Sequence, residues 1–404
     1  MRPRDRGAPH APYFAALNAE LRRNGPMRPC LLIDLDRLDH NLARVTESVC
    51  RGGKQLRLVE KSLPCLPLLE YAARRAGTRR LMSFHQPFLN QDAEAFADAD
   101  LLLGKPLPAG SAARFYAQLR GRFDPTRQLQ WLIDTPARLQ QYLELARGLG
   151  TCLRINIELD IGLHRGGVSE LAALDALLNQ IAANPQHLQW SGFMGYDPHV
   201  VAVPRIIATR QQLLDRALAR YLQFVEHAQQ HHSNLCHAGL VFNTAGSPTY
   251  RLHEPETLCN ELSVGSALLK PADFDLDTLA DHLPAVFIAT PVLKSTGAIQ
   301  LPGLDARSKF LAWWNPNRRQ THFIYGGNWM ANYVSPAGLQ PNALYGRSAN
   351  QELVNASPAA GLDIDDHVFL RPRISESVLL QFGDVLAVRN GRIEAQWPVF
   401  EQRD

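Results

Sequence analysis

Residues 55–64 read Gln55-Leu-Arg-Leu-Val-Glu-Lys-Ser-Leu-Pro64. Leu56 and Leu58 alternate with polar neighbours as they would on a strand, and Pro64 forbids simple continuation of a ladder. Near the end of this apolar run stands Lys61. A lysine at the end of a buried strand must be paired, desolvated, or long enough to snorkel to solvent. A desolvated amine is a usable nucleophile for Schiff-base chemistry, whereas a snorkelling one is only a strand end. The stretch alone leaves both readings open.

The chain that follows has a regular rhythm. Apolar strand candidates are Arg80–Phe84, Asp100–Gly104, Leu129–Asp134, Cys152–Glu158, Leu188–Met194, Cys236–Phe242 and Glu261–Ala267. Helical patterns lie between most of them, as in Thr135–Leu149, Ser169–Ala183 and Pro204–His231. With the Lys61 strand this makes eight βα units, which favours closure into a (β/α)8 TIM-like barrel over a doubly wound open sheet. Chemistry in such a barrel sits at the C-terminal ends of the strands. Lys61, His85, Gln86, Lys105, Asp134, Glu158, Asp160, Tyr196, Asn243 and Thr244 all fall at those ends.

After about Pro271 the alternation stops. Short β-like runs follow at Ala285–Thr290, Thr321–Tyr325, Val378–Phe382, Val385–Val388 and Arg392–Trp397, the last two joined by the hairpin signal Asn390-Gly391. Near the start, Pro12–Arg23 reads as a short amphipathic helix closed by Asn24-Gly25-Pro26, residues 30–36 as a strand, and Arg37–Cys50 as a helix. The expected organisation is a barrel over residues 37–272, with residues 1–36 and 273–404 forming a mostly β second domain that completes the active site.

Composition bounds the function. The chain has 404 residues, 46% hydrophobic and 20% charged, with a net charge of +3, which describes an ordinary globular protein and gives no reason to propose nucleic acid or membrane as a partner. No apolar run is long enough to span a bilayer, and no signal core follows the basic N-terminus. The six cysteines (Cys30, Cys50, Cys65, Cys152, Cys236, Cys259) form no CxxC pair, so a reducing cytoplasm is expected and zinc-finger chemistry is unsupported.

Several groups at the strand ends carry chemistry. Asp160-Ile-Gly-Leu-His-Arg-Gly-Gly-Val168 is a glycine-rich loop that places Arg165 toward the barrel mouth. Asn243-Thr-Ala-Gly-Ser-Pro-Thr249 and Ser263-Val-Gly-Ser266 are small-residue loops at the late strands, the usual phosphate position of such a barrel. There is no Gly-x-Gly-x-x-Gly or Walker sequence, which takes support from dinucleotide and ATP readings. Tyr196 offers an aromatic ring, and His85 a base or a ligand grip. A lysine for an aldehyde, an anion cradle, an aromatic and an arginine together suit pyridoxal 5'-phosphate, an electron sink once bound as an imine.

In this order, Leu31-Leu-Ile-Asp-Leu-Asp36, Lys61, Glu158-Leu-Asp-Ile-Gly-Leu-His-Arg-Gly-Gly-Val168, Gly195-Tyr196, Thr244-Ala-Gly-Ser247 and Glu261-Leu-Ser-Val-Gly-Ser266, the chain resembles the fold-type III pyridoxal phosphate enzymes. Within them it is similar to the D-threonine aldolase and D-serine dehydratase branch, related to the alanine racemase N-terminal domain. The resemblance implies a homodimer and an imine between Lys61 and the cofactor, with Lys61 also the base on one face of Cα. It implies Arg165 by the cofactor ring, Tyr196 near the pyridine nitrogen, and Thr244, Gly246, Ser247, Gly265 and Ser266 at the phosphate.

Lyases of this branch carry a divalent-metal pair, His-x-Asp or His-x-Cys, late in the β domain. The matching stretch here, Arg371-Pro-Arg-Ile-Ser-Glu-Ser377, has neither His nor Cys, so no metal ligand is assigned. His367 with Asp365 and Asp366 is a different site to be weighed, and His85 is a metal-free base for the hydroxyl. The loops Tyr325–Met330 and Tyr345–Glu352 are either substrate-shaping or structural. The expected activity is a lyase, aldolase or dehydratase, acting on a D-configured or α-substituted β-hydroxy amino acid. The alternative is an amino-acid racemase, which needs a base on each face of Cα and no metal.

Overall fold

The computed structural model describes residues 2–63, 65–298, 310, 312–376 and 378–402; Pro64 and Ser377, cited above, lie outside the described residues. The chain divides into two compact units. One comprises Met1–His40, Leu269–Asp275 and Asp281–Val399, the other Asn41–Leu268, Leu276–Ala280 and Phe400–Asp404.

In the first unit, β1 (Cys30–Asp34) is the hub of a mixed sheet, and in the second the Lys61 stretch forms β2 (Gln55–Val59). The strands of the second unit continue with β3 (Arg80–Ser83), β4 (Asp100–Leu103), β5 (Leu129–Ile133), β6 (Leu153–Leu159), β7 (Leu188–Gly195), β8 (Val241–Thr244) and β9 (Glu261–Val264). All pair in parallel, and β2 pairs with both β3 and β9, which closes an eight-stranded barrel and removes the open-sheet alternative.

Local chemistry starts and stops the intervening helices. Pro136–Leu149 begins with proline at N1 behind Thr135, whose hydroxyl accepts from Arg138 N, and ends at Gly150 in the left-handed region. Arg210–His231 opens on a capping box between Thr209 and Gln212. The barrel strands alternate in the strict sense: Leu56 and Leu58 face one side, and Arg57, fully buried, faces the other.

Arg57 lies in a polar network that crosses the barrel. It donates to Glu261 at 2.9 Å, to Asp100 at 2.6 Å and to the Leu81 carbonyl at 2.8 Å. Asn243 and Arg80 bring further donors to Glu261. These hydrogen bonds make burial of the charges tolerable, because each carboxylate oxygen has a donor.

In the first unit, β10 (Val286–Thr296), β11 (Gln320–Tyr325), β12 (Ala331–Ser335), β13 (Gln340–Pro341), β14 (Gln351–Ala356), β15 (His367–Pro372), β16 (Asp384–Arg389) and β17 (Arg392–Pro398) join β1. β1 is antiparallel to β10 and parallel to β16. The helix Pro12–Asn24 covers one face, burying Leu17 and Leu21 against Leu32, Phe287 and Phe369. β16 and β17 form the hairpin read from Asn390-Gly391, and both turn residues have positive φ, as a type I′ turn requires.

Two strand expectations need correction. Cys236–Leu240 is not strand: Ser233–Leu235 is a 3-10 turn, the Leu240 amide closes a further turn on His237, and β8 starts only at Val241. Leu379–Phe382, read as β, is a 3-10 turn that ends at Gly383 with φ 80°. Only Leu240 in the first segment and Leu379 with Phe382 in the second are buried, and so short an apolar run does not by itself tell strand from turn. Among the described residues no helix is long and apolar enough to cross a membrane, and none of the six cysteines is in a disulfide.

Candidate active site

β2 ends at Val59, and Glu60–Ser62 tightens into a 3-10 turn that carries Lys61 to the C-terminal rim of the barrel. The register of β2 against β9, Leu58 beside Val264, brings this turn against Gly265 and Ser266. Ser62 Oγ and Ser266 Oγ lie 3.0 Å apart. The Lys61 ammonium sits 4.8 Å from the centre of the Phe84 ring, on the aromatic face.

The two late loops are joined to each other. Ser247 Oγ accepts from the amides of Gly265 (3.2 Å) and Ala267 (2.9 Å), which leaves its own proton to donate. Gly265 is required by close approach: a Cβ there would lie 2.7 Å from Ser62 Oγ and 2.8 Å from Val59 Cβ. Gly246 is required in the same way, since its Cβ would lie 2.5 Å from the Tyr196 ring. Thr244 Oγ1 is buried without a hydrogen-bonding nitrogen or oxygen.

Arg165 completes the row, with its guanidinium 4.9 Å from the centre of the Tyr196 ring. Its loop is shaped by Asp160, which accepts from the amides of Gly162 and His164, both at 3.0 Å, and from the His164 ring at 2.7 Å. The loop therefore returns to the strand end with Arg165 exposed, and the glycines at 166 and 167 take φ 155° and 91°. From Lys61 through Ser62, Ser266, Gly265, Ser247, Gly246 and Tyr196 to Arg165, contacts bring seven of the predicted cofactor residues together. Thr244 lies at the end of β8, in the same loop as Gly246 and Ser247.

His85 stands differently. It is the N-cap residue of the helix Gln86–Ala95, its side chain makes no cap bond, and its ring packs edge-on against Phe88. Burial, and then the Lys105 charge, lower its pKa, which favours the neutral imidazole. Gln86 and Asn243, read as rim residues, turn to structural partners: Gln86 donates to Asn90 and Gln118, and Asn243 to Glu261 and Ser263.

Further titratable groups lie beside the predicted cofactor residues. Asp197, next to Tyr196, accepts from Thr249 Oγ1 at 2.6 Å and from His253 Nε2 at 2.7 Å, and all three are buried. Burial would push His253 down, but its hydrogen bond to Asp197 and the Asp197 and Glu256 carboxylates beside it outweigh this and raise it to about 9. Glu158, at the end of β6, is pushed up to about 7 by burial and then by the Asp134 charge, against the opposing Arg165 charge. Glu60, immediately before Lys61, is raised to about 8 by burial, and Asp92 well above the carboxylate range by burial and the Glu60 charge. These partners are far apart in sequence, so spacing could not reveal them.

The residues present fit a phosphorylated aldehyde. Thr244 Oγ1 is a buried hydroxyl with no nitrogen or oxygen partner, Ser247 retains a donor, two glycines keep the cradle clear of side chains, and the Lys61 turn adjoins it. The stretch matched to the metal pair does not fit a metal. Arg371 binds Asp275 at 2.8 Å and Arg373 binds Asp273 at 3.0 Å, so two ion pairs of the first unit occupy those positions. His367, the other residue weighed for a metal, is wholly buried on β15, and burial lowers its pKa to about 4.

Comparison with known proteins places this geometry. The family model for the alanine racemase N-terminal domain matches residues 33–272. No curated protein sequence matches the chain. Among solved structures, D-threonine aldolase from Filomicrobium marinum is 17% identical, with a TM-score of 0.67 over 92% of this chain and 97% of that one. D-threo-3-hydroxyaspartate dehydratase from Delftia sp. HT23 is 17% identical, with a TM-score of 0.68 over 93% and 98%. Alanine racemase from Bacillus anthracis with bound L-Ala-P is 14% identical, with a TM-score of 0.68 over 92% and 98%. Identities this low speak to the fold, and the fold is common to lyases and racemases. The barrel, its β-rich companion unit and the matched family model agree: this chain belongs to the alanine racemase N-terminal domain family, among the fold-type III pyridoxal phosphate enzymes.

Proposed function

We propose that the chain is a pyridoxal phosphate-dependent lyase, aldolase or dehydratase, acting on a D-configured or α-substituted β-hydroxy amino acid. The observation that carries the reading is the 3.0 Å contact between Ser62 and Ser266, which sets the Lys61 turn against the anion cradle. The motif order and the likeness to a D-threonine aldolase and a hydroxyaspartate dehydratase support the choice of a lyase.

The cofactor, when bound, supplies an electron sink for charge developing at Cα. Thr244, Ser247 and Ser266 would hold its phosphate by hydroxyl donors, and Arg165 with Tyr196 would line its ring. Lys61 Nζ accepts or returns the Cα proton on one face. His85, whose neutral form is favoured, takes the proton of the substrate's β-hydroxyl, and loss of that proton drives cleavage of the Cα–Cβ bond. Arg371 and Arg373, paired with Asp275 and Asp273, stand where the resemblance puts the lyases' metal ligands, which leaves the hydroxyl proton to a protein base.

The same arginines favour a second reading, an amino-acid racemase, which needs no metal but a base on each face of Cα. Product analysis with D-threonine, D-serine and related hydroxy amino acids separates the readings. Glycine plus aldehyde means aldolase, and ketoacid plus ammonia means dehydratase. Solvent deuterium at Cα with loss of optical rotation and no cleavage means racemase. A panel that gives neither cleavage nor dehydration product sinks the lyase.

A further inference from the structure

Between the helices that follow β6 and β7, three side chains converge. Asp175 Oδ1, on the helix Leu171–Ala182, lies 2.7 Å from His227 Nε2 and 2.8 Å from His232 Nε2. The donor atoms of all three lie within 4.8 Å of one another. We propose that Asp175, His227 and His232 form a divalent transition-metal site that clamps the helices Leu171–Ala182 and Arg210–His231 together.

The backbone is arranged for this. His227 is in the last turns of its helix, and His232 is the first residue to leave it, with φ −133° and ψ 39°. That non-helical conformation turns the His232 ring back beside His227, although the two are five residues apart and would otherwise diverge around the helix. Asp175 comes from a separate helix 52 residues earlier in the chain. Ligation therefore joins two elements, which a pair on one helix cannot do.

The donor set selects the ion. Two imidazole nitrogens and one carboxylate oxygen suit zinc, cobalt or nickel, whereas magnesium and calcium prefer oxygen-only shells. Around a tetrahedral ion with bonds of about 2.0–2.2 Å, the donor pairs open to about 3.3 Å. Such movement is a few tenths of an ångström for each side chain. His232 is 7% exposed and His227 17%, while Asp175 at 38% leaves the remaining coordination position to solvent. The His231 ring, 4.5 Å from that of His227, packs on the outer side of the site.

Place in the fold sets its role. The three ligands lie on or at the end of the helices Leu171–Ala182 and Arg210–His231, whereas the residues of the candidate active site lie in the loops directly after the strands. The ion would be structural, and its test is independent of activity.

Cofactor-loaded protein, freed of metal by chelator and dialysis, is titrated with Co2+ followed by visible d–d absorption, and with Zn2+ followed by thermal unfolding. The proposal expects one saturable equivalent of Co2+ and a rise in Tm with Zn2+. His227→Ala weakens Co2+ binding more than tenfold. Asp175→Asn keeps an oxygen that accepts both imidazole hydrogen bonds, so it folds like the parent without metal yet loses the Zn2+ rise in Tm. His231→Ala binds as the parent does. No saturable uptake, or uptake unchanged in both Asp175→Asn and His227→Ala, overturns the site.

Discussion

Ser62 and Ser266 meet hydroxyl to hydroxyl at 3.0 Å across the seam that closes the barrel, between the turn after β2 and the turn after β9. The first of these turns carries Lys61, and the second carries the glycine against which Ser62 packs. Closure of the barrel is thus what brings an amine from the start of the domain beside an anion cradle from its end.

The cradle is filled to contact at both Gly246 and Gly265. Gly265→Ala puts a methyl 2.7 Å from Ser62 Oγ, and overpacking of this kind costs about 1–3 kcal/mol. Titration of the variant with pyridoxal phosphate, followed by absorbance, gives at least tenfold weaker binding. Gly110→Ala, where a Cβ meets nothing within 4 Å, binds as the parent does. Equal affinity for both variants would remove Gly265 from the cofactor seat.

Stability falls on the alkaline side. His253 has its pKa raised from 6.5 to about 9, so it holds a proton more tightly folded than unfolded. Its contribution, on the order of 3 kcal/mol, is complete below about pH 6.5 and lost as pH rises through about 9. Glu60, raised from 4.5 to about 8 by burial, acts in the same direction between those values. Thermal unfolding from pH 6 to pH 9.5 shows a falling Tm, and His253→Gln flattens the part above pH 7. A Tm that rises over this range contradicts the assignment.

Arg57 is the anchor of the barrel interior. Its loss leaves Glu261 and Asp100 without their main donors, and an uncompensated buried charge costs about 3–5 kcal/mol. Urea unfolding of Arg57→Met shows that loss, and adding Glu261→Gln restores part of it. A single variant as stable as the parent means the network contributes little.

How far the chain could be read depends on the range of each interaction. The barrel was legible because strands and helices impose their periods locally, and the loops that carry Lys61, Ser247 and Gly265 do lie at strand ends, while the cofactor roles of these residues rest on the resemblance. β8 was placed too early because Cys236 and Leu240 are as apolar as a strand while forming turns. The strands Gln351–Ala356 and His367–Pro372 lacked a clean polar alternation, since nearly all their residues are buried. Asp197 with His253, and Asp175 with His227, are pairs made by folding alone, and no spacing rule reaches them. Asn243 sat at a strand end as expected, yet its register turned it into the barrel and toward Glu261.

His85 is the base assigned to the hydroxyl proton. His85→Gln lowers kcat by about 10²–10⁴ for cleavage of the β-hydroxy substrate, while the cofactor absorbance is unchanged. Solvent exchange of the Cα proton, which depends on Lys61, persists in this variant. Full cleavage activity would move the proton transfer to another group, for which Glu158, raised to about 7, is the nearest in chemistry.

The central claim is that Lys61 is the residue that holds the cofactor. Cofactor-loaded protein is reduced with borohydride, digested, and its peptides mapped by mass for a pyridoxyl group. The account predicts the group on Lys61, with no fixed label and no visible cofactor absorbance in Lys61→Ala. A pyridoxyl group on another lysine, or a Lys61→Ala protein that keeps the absorbance, would contradict it.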